Sequence, residues 1–404
     1  MLATEIHARS LPDLFSRFES LIGEKHWLSR VRLIKDAIKG NPFLREYLVA
    51  ENEIAFQLDF LSGVSKAHGG RIPLSIVNDW GIHHAARFIG QVLSFVDDLP
   101  KIEVERFCRR VHGAFRNPGD MRGLHLEMLV ATRFVRQGRK VSWPEITGEG
   151  TFDLLIEDVE GAGLEVECKS ISNDKGRKIH HSEMLEFLNL VRPHVKAMAQ
   201  GLENGVYGVL TLPNRLPKSY KERLEMAKDF GMSISKGEGR TLNSGANTRV
   251  GNFDISKIGE SIRNNQSPSR SVIEEIIGVV NQKYLLLSTK EGGALIMVIQ
   301  SSQDDELLKA TFDTLGKAAK SQLSGARAGL LMVNFPDMSA NDVALVFQED
   351  QRPGATPSAL RLHMDRFLLT SGREHLIGIS FLSGDSTRLQ EHNRISEGGA
   401  AYHF

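Results

Sequence analysis

Along residues 11–115 the apolar positions recur at intervals of three and four: Leu14, Phe18, Leu21 and Ile22, then Leu28, Val31, Ile34 and Ile38, then Phe43, Leu44, Tyr47 and Leu48. That spacing keeps them on one side of a 3.6-residue period and predicts a bundle of helices. Ser10-Leu11-Pro12-Asp13 supplies a cap and an early proline for the first helix, while Gly40-Asn41-Pro42 and Gly69-Gly70 interrupt the pattern. After Pro118-Gly119 the texture changes. Residues 124–137 predict one amphipathic helix, with Leu126, Leu129, Val130 and Phe134 inward and Gly138 at its end. Short β-rich runs follow at 154–156, 164–166 and 206–212. Between the last two, residues 182–202 read as a helix kinked at Pro193, which makes a strand, helix, strand crossover.

Residues 231–270 turn to Gly, Ser, Asn and Lys and predict a flexible insertion or linker. Beyond them, strands at 284–288, 294–299, 328–333 and 376–382 and a helix over 306–323 form a second α/β set, and the closing EGGAAYHF reads as a mobile tail. The expected organisation is therefore α/β, with a helical region over 1–115 serving recognition, partner binding or oligomerisation. An α/β core over 116–230 follows, then a flexible segment over 231–275, then a region over 276–404 that either continues the core sheet or stands apart.

Composition narrows the classes. The 404 residues are 41% hydrophobic and 25% charged, which excludes collagen-like and disordered chains. Fifty Lys and Arg balance fifty Asp and Glu, so a nucleic-acid partner has to be met by a local patch and not by a global field. Cys108 and Cys168 are far apart with no CxxC, which argues against a disulfide framework or a zinc site. A reducing cytoplasm fits best, and no leader or membrane span is expected. Phosphate-loop, GxGxxG, HExxH and GxSxG signatures do not occur.

The informative chemistry lies in Gly150-Thr151-Phe152-Asp153 and in Leu164-Glu165-Val166-Glu167-Cys168-Lys169-Ser170. Alternation along a strand sets Glu165, Glu167 and Lys169 on one face and Leu164, Val166 and Cys168 on the core face. A hairpin through Gly161-Ala162-Gly163, centred near residue 160, puts Asp153 across from Glu167 with Cβ atoms about 5 Å apart. Carboxylates crowded in this way repel unless a cation lies between them, and an oxygen-only donor set suits Mg²⁺ or Mn²⁺. An ammonium beside such a site can orient a water or steady a phosphate. Lys175, Arg177 and Lys178, after the strand, and Arg106, Arg109 and Arg110, at helical spacing, are candidate phosphate contacts or solvated charges. The pairs His83-His84 and His180-His181 read as surface or core histidines.

The order of a helix carrying Glu127, a Gly-x-x-Asp153 turn opening a strand, and Glu167-x-Lys169 on the next strand resembles the PD-(D/E)XK, or restriction-endonuclease-like, nuclease superfamily across residues 120–215. Phe152 stands where the superfamily's proline often does. The resemblance implies a mixed sheet flanked by helices and a Mg²⁺- or Mn²⁺-dependent endonuclease acting on DNA, with RNA left open, in restriction, antiviral defence or repair. It further implies that Asp153, Glu167 and the backbone carbonyl of Cys168 bind the metal. Lys169 would place or activate the attacking water, and Glu127 would complete the metal shell or orient Lys169. Glu165 is an additional acidic candidate. The alternative is a non-catalytic or partner-activated nucleic-acid-binding subunit on the same fold, working with a protein partner or a second copy of the chain.

Overall fold

The computed structural model describes all residues except 1, 78–79, 160, 173, 265–267, 279–283, 290, 337, 355, 385–387, 391–393, 397–400 and 404. The expected hairpin centre at residue 160 and part of the expected tail lie outside the described residues. The chain is α/β and divides into two compact units. One comprises Met1–Asp36, Leu48–Lys175 and Leu308–Phe404; the other comprises Ala37–Tyr47 and Gly176–Leu307.

In the first unit a short strand, β1 (Glu5–His7), precedes helices at Leu11–Ile22, Lys25–Gly40 (its residues from Ala37 on belonging to the second unit), Glu53–Ala67, His83–Val96, Lys101–Ala114 and Pro118–Arg136. Then come β2 (Val141–Ser142), β3 (Leu154–Ile156) and β4 (Leu164–Ser170). Here the chain leaves to build β5 (Gly205–Leu212), β6 (Asn247–Phe253), β7 (Tyr284–Ser288) and β8 (Ala294–Ser301) of the second unit. It returns through a helix at Leu307–Ser321 to β9 (Ala328–Asn334), β10 (Leu376–Leu382), β11 (Arg388–Gln390), β12 (Arg394–Ser396) and β13 (Ala401–His403).

The first unit's main sheet has the order β13-β10-β9-β4-β3-β2, parallel where β4 meets β9 and β9 meets β10, antiparallel elsewhere. Phe18, Trp27, Phe88 and Phe107 of the helices share one continuous core with Leu154, Ile156, Leu164, Val166 and Cys168 of the sheet. The helices of 1–115 are therefore not a domain of their own. Their periodicity shows which face is apolar, not what that face meets, and what it meets includes the sheet. β1, β12 and β11 form a separate small antiparallel sheet.

The second unit has the sheet order β6-β5-β8-β7, with β5 and β8 parallel. Helices at His181–Gln200 and Tyr220–Lys236 pack on the face bearing Leu210, Leu295 and Met297; Ile273 and Ile277 cover Val209, Ile296 and Val298 on the other. The expected crossover is thereby corrected: β5 joins this sheet, and the parallel neighbour of β4 is β9, beyond the whole inserted unit. Both runs read as buried strands, so apolar pattern alone does not choose between them. The expected core boundary at 230 gives way to the breaks at 175/176 and 307/308, and of the two arrangements open for 276–404, residues 308–404 continue the core sheet through β9, β10 and β13 while 276–307 belong to the second unit.

The segment expected to be flexible is ordered over much of its length. The preceding helix continues to Lys236 and ends on Gly237 in the left-handed conformation, and β6 then pairs with β5 through residues 247–253. Its glycines serve turns and close approaches: a Cβ on Gly239 would lie 2.6 Å from the Thr248 carbonyl oxygen. In the expected tail, residues 401–403 form β13 against β10, with buried Tyr402 donating to Asp350 at 2.8 Å. Among the described residues no helix is long and apolar enough to cross a membrane.

Gly239→Ala separates an ordered turn from a flexible linker. In a linker the change is neutral or stabilising, since it restricts the unfolded chain. Here urea unfolding should show a loss of about 1–3 kcal/mol from the backbone clash, and an unchanged or raised midpoint would contradict the ordered turn.

A candidate active site of buried carboxylates

β4 lies in the middle of its sheet, and Leu164 to Cys168 are all buried. The polar face of the strand is thus enclosed as well as the apolar one, and Glu165 and Glu167 are each 0% exposed. β3 pairs with β4 as Leu154↔Val166 and Leu155↔Glu165. The same register carried one residue further sets Asp153 opposite Glu167. Asp153 is held there by the Cys168 N–H, which donates to its Oδ2 at 2.8 Å.

Glu127 comes from the helix Pro118–Arg136, which opens on Asn117 as cap, accepting from Gly119, with Pro118 in its first turn. Its buried side chain accepts from Arg110 Nη2 at 2.5 Å, and the same nitrogen lies 3.3 Å from Glu145. Lys169 Nζ donates to Glu167 Oε1 at 2.5 Å. Three buried acids, Glu127, Asp153 and Glu167, are thus answered by two cations. Oε2 of Glu127, Oε2 of Glu167 and Nη1 of Arg110 are buried without a hydrogen-bond partner.

The charge states follow from this enclosure. Burial, and then repulsion from Asp153, hold the Glu127 carboxyl well above the usual range and push Glu167 up to about 8. Asp153 is raised too, with burial outweighing the Cys168 N–H and the charges of Lys169 and Arg110. Burial works to lower Lys169, yet the adjoining Glu167 carries its pKa above the ordinary lysine value, so it remains an ammonium. Burial first, and then the surrounding acids, raise the Cys168 thiol well above its usual value, so it is not a thiolate nucleophile.

The structure brings Glu127, Asp153, Glu167 and Lys169 together, with Cys168 between the last two. Glu165, expected as a further acid, is engaged elsewhere: it accepts from Ser324 N at 2.7 Å, Ser324 Oγ at 2.5 Å and Arg327 at 3.2 Å, fixing the turn before β9. Arg177 and Lys178 belong to the second unit and are ion-paired there with Asp305 at 2.9 Å and Glu306 at 3.1 Å. Lys175 ends the first unit's segment, in a turn where its N–H donates to Ser172. Arg110, read from the sequence only as a phosphate contact or a solvated charge, is the counter-ion of Glu127. Its partner Glu145 carried no sequence signal, because a three-dimensional pairing between separate elements leaves no periodic trace. Arg106 donates to the Ile146 carbonyl at 3.3 Å. His84 pairs with Glu53 at 3.0 Å, and His180 caps a helix with Glu183 accepting from its N–H at 3.2 Å.

Among the described residues no group of three or more His, Cys, Asp or Glu side chains is placed to hold a metal ion. The donors nevertheless fit a hard divalent cation. They are oxygens, two of them are buried and unpartnered, and a cation would replace the protons that burial, and then repulsion, drive onto the acids. Comparison with known proteins returns no matching family model, curated protein or solved structure.

A raised carboxyl stabilises the fold below its unfolded pKa and loses that contribution as pH climbs through its folded pKa. For Glu167 the window runs from 4.5 to about 8. In EDTA, urea unfolding should therefore show stability falling across this window, and Glu167→Gln should flatten the fall. A wild-type profile that is level or rises between those values, with Glu167→Gln parallel to it, would contradict the clustered carboxyls.

Proposed function

We propose that the chain is a Mg²⁺- or Mn²⁺-dependent endonuclease of the PD-(D/E)XK type, hydrolysing phosphodiester bonds of DNA in restriction or defence against foreign DNA. The observation that carries this reading is the convergence of Glu127, Asp153, Glu167 and Lys169 in one enclosure with two buried carboxylate oxygens unpartnered. The mixed sheet flanked by helices supports it as well. The defence role rests on association with the fold, not on the geometry.

In this reading Asp153, Glu167 and the Cys168 carbonyl would hold the cation, with Glu127 completing or orienting the set. The cation supplies charge for the phosphate and a bound water whose pKa falls from about 15.7 toward neutrality. Lys169, remaining cationic, is a donor and not a base: it aligns the water or steadies the charge developing on the phosphate. The covered strand keeps bulk water from the acids, which strengthens each of these interactions.

A second reading, a partner-activated or non-catalytic nucleic-acid-binding subunit, is favoured by one observation. Arg110 and Lys169 already neutralise Glu127 and Glu167 within the chain, so access to the acids requires their release.

Incubation with plasmid and linear DNA, and with RNA, in Mg²⁺ or Mn²⁺ against an EDTA control tests the proposal. Wild type should cut DNA only with metal, Asp153→Ala should fall to background, and Lys169→Ala should lose roughly 10²–10³-fold in rate, each keeping its native circular dichroism. Folded Asp153→Ala that cuts like wild type ends the assignment; metal-independent binding without cutting selects the second reading.

A further inference from the structure

Arg110 stands between two acids and is locked on neither. Its Nη2 donates to Glu127 Oε1 at 2.5 Å and lies 3.3 Å from Glu145 Oε2, while Nη1 is buried without an acceptor and Glu127 Oε2 is buried without a donor. A guanidinium committed to one carboxylate commonly presents two parallel N–H groups to both of its oxygens. Here a single nitrogen is shared between acids on different elements, and the second prong on each side is unused.

The two acids differ in what they lose if the arginine moves. Glu127 is enclosed, whereas the Glu145 side chain is 52% exposed and keeps its charge in water. Glu145 is also fixed in place. It lies in the short helix Pro144–Thr147, between the buried side chains of Trp143 and Ile146. Trp143 packs on Phe95 with ring centroids 4.3 Å apart, and Gly148 closes the turn in the left-handed conformation, its N–H donating to the Pro144 carbonyl at 2.8 Å. Arg106, one turn before Arg110 on the helix Lys101–Ala114, donates to the Ile146 carbonyl at 3.3 Å. One face of that helix therefore carries the shared guanidinium and also anchors its second acceptor.

A cation entering the carboxylate cluster meets this guanidinium at Glu127. Arginine does not shed its proton, so the conflict is resolved by movement and not by neutralisation, and a buried charge stripped of its partner is strongly unfavourable. On the metal-dependent reading above, on which this rests, we propose that Glu145 is a positioning residue for the cation site: it receives Arg110 when the cation takes Glu127, so that the chain opens its own inhibitory ion pair without leaving the guanidinium unpaired.

Equilibrium dialysis of the full chain against Mn²⁺ reads this without any cutting assay. Glu145→Gln, which removes the acceptor's charge, and Glu145→Asp, which keeps the charge and shortens its reach, should each weaken Mn²⁺ binding about three- to fivefold, the size of a partly exposed ion pair. Glu149→Gln, at an exposed acid on the same loop, should leave the affinity unchanged. In an Arg110→Gln background Glu145→Gln should have no further effect, because no guanidinium is left to receive. Wild-type affinity in Glu145→Gln overturns the role. So does wild-type affinity in Glu145→Asp, which would reduce Glu145 to its long-range field, equal weakening by Glu149→Gln, or a loss that persists undiminished in the Arg110→Gln background. Should Arg110→Gln not fold, the three single variants at 145 and 149 decide alone. Uptake by wild type with unmoved Glu145 variants fails this role only; no uptake by wild type fails the cation site, and this role with it.

Discussion

Three carboxyl groups enclosed in one small volume with only two cations form the constraint around which the first unit is organised. A single buried carboxylate is costly, and like charges a few Å apart in a low-dielectric interior cannot all ionise. The protein meets this cost in part, with Arg110 on Glu127, Lys169 on Glu167 and a backbone N–H on Asp153. The remainder appears as raised carboxyl pKa values and unpartnered oxygens. An arrangement selected for stability alone would place apolar residues here. In the proposed reading, its place at the centre of a sheet serves a site that gains from a charge the chain does not itself supply.

The architecture follows from assembling that enclosure. Glu167 comes from β4, Asp153 from the position just before its antiparallel neighbour β3, Glu127 from a helix on the same core, and Arg110 from the helix before it. Because helices and sheet share one hydrophobic core, packing fixes the separation of these groups, and small misplacements are resisted by many contacts. Glu165, on the same strand face, shows the contrasting case: its oxygens are satisfied by Ser324 and Arg327, and it serves the turn that leads β9 to its place beside β4.

Elements with strong local periodicity were legible in the sequence. The strands at 154–156 and 284–288 fall where short apolar runs put them, and the residue spacing that set Asp153 across from Glu167 agrees with the register. What was not legible depended on long-range pairing. The partner of β4 lies beyond an inserted unit, and two equally apolar runs compete for that role on pattern alone. Residues 231–270 looked like a linker because glycine marks both flexibility and tight packing, and only the Thr248 carbonyl near Gly239 tells which. Arg110 escaped because its meaning is set by Glu127 and Glu145, which reach it from two other elements.

Manganese binding tests the central claim most directly, since Mn²⁺ is paramagnetic and its free and bound forms differ in electron spin resonance. Titrated onto metal-free protein, wild type should take up Mn²⁺ at the cluster, Mg²⁺ should compete for it, and both Asp153→Asn and Glu167→Gln should abolish it while remaining folded. Uptake equal to wild type in those two variants, or none in the wild type, would contradict an enclosure built to hold a cation.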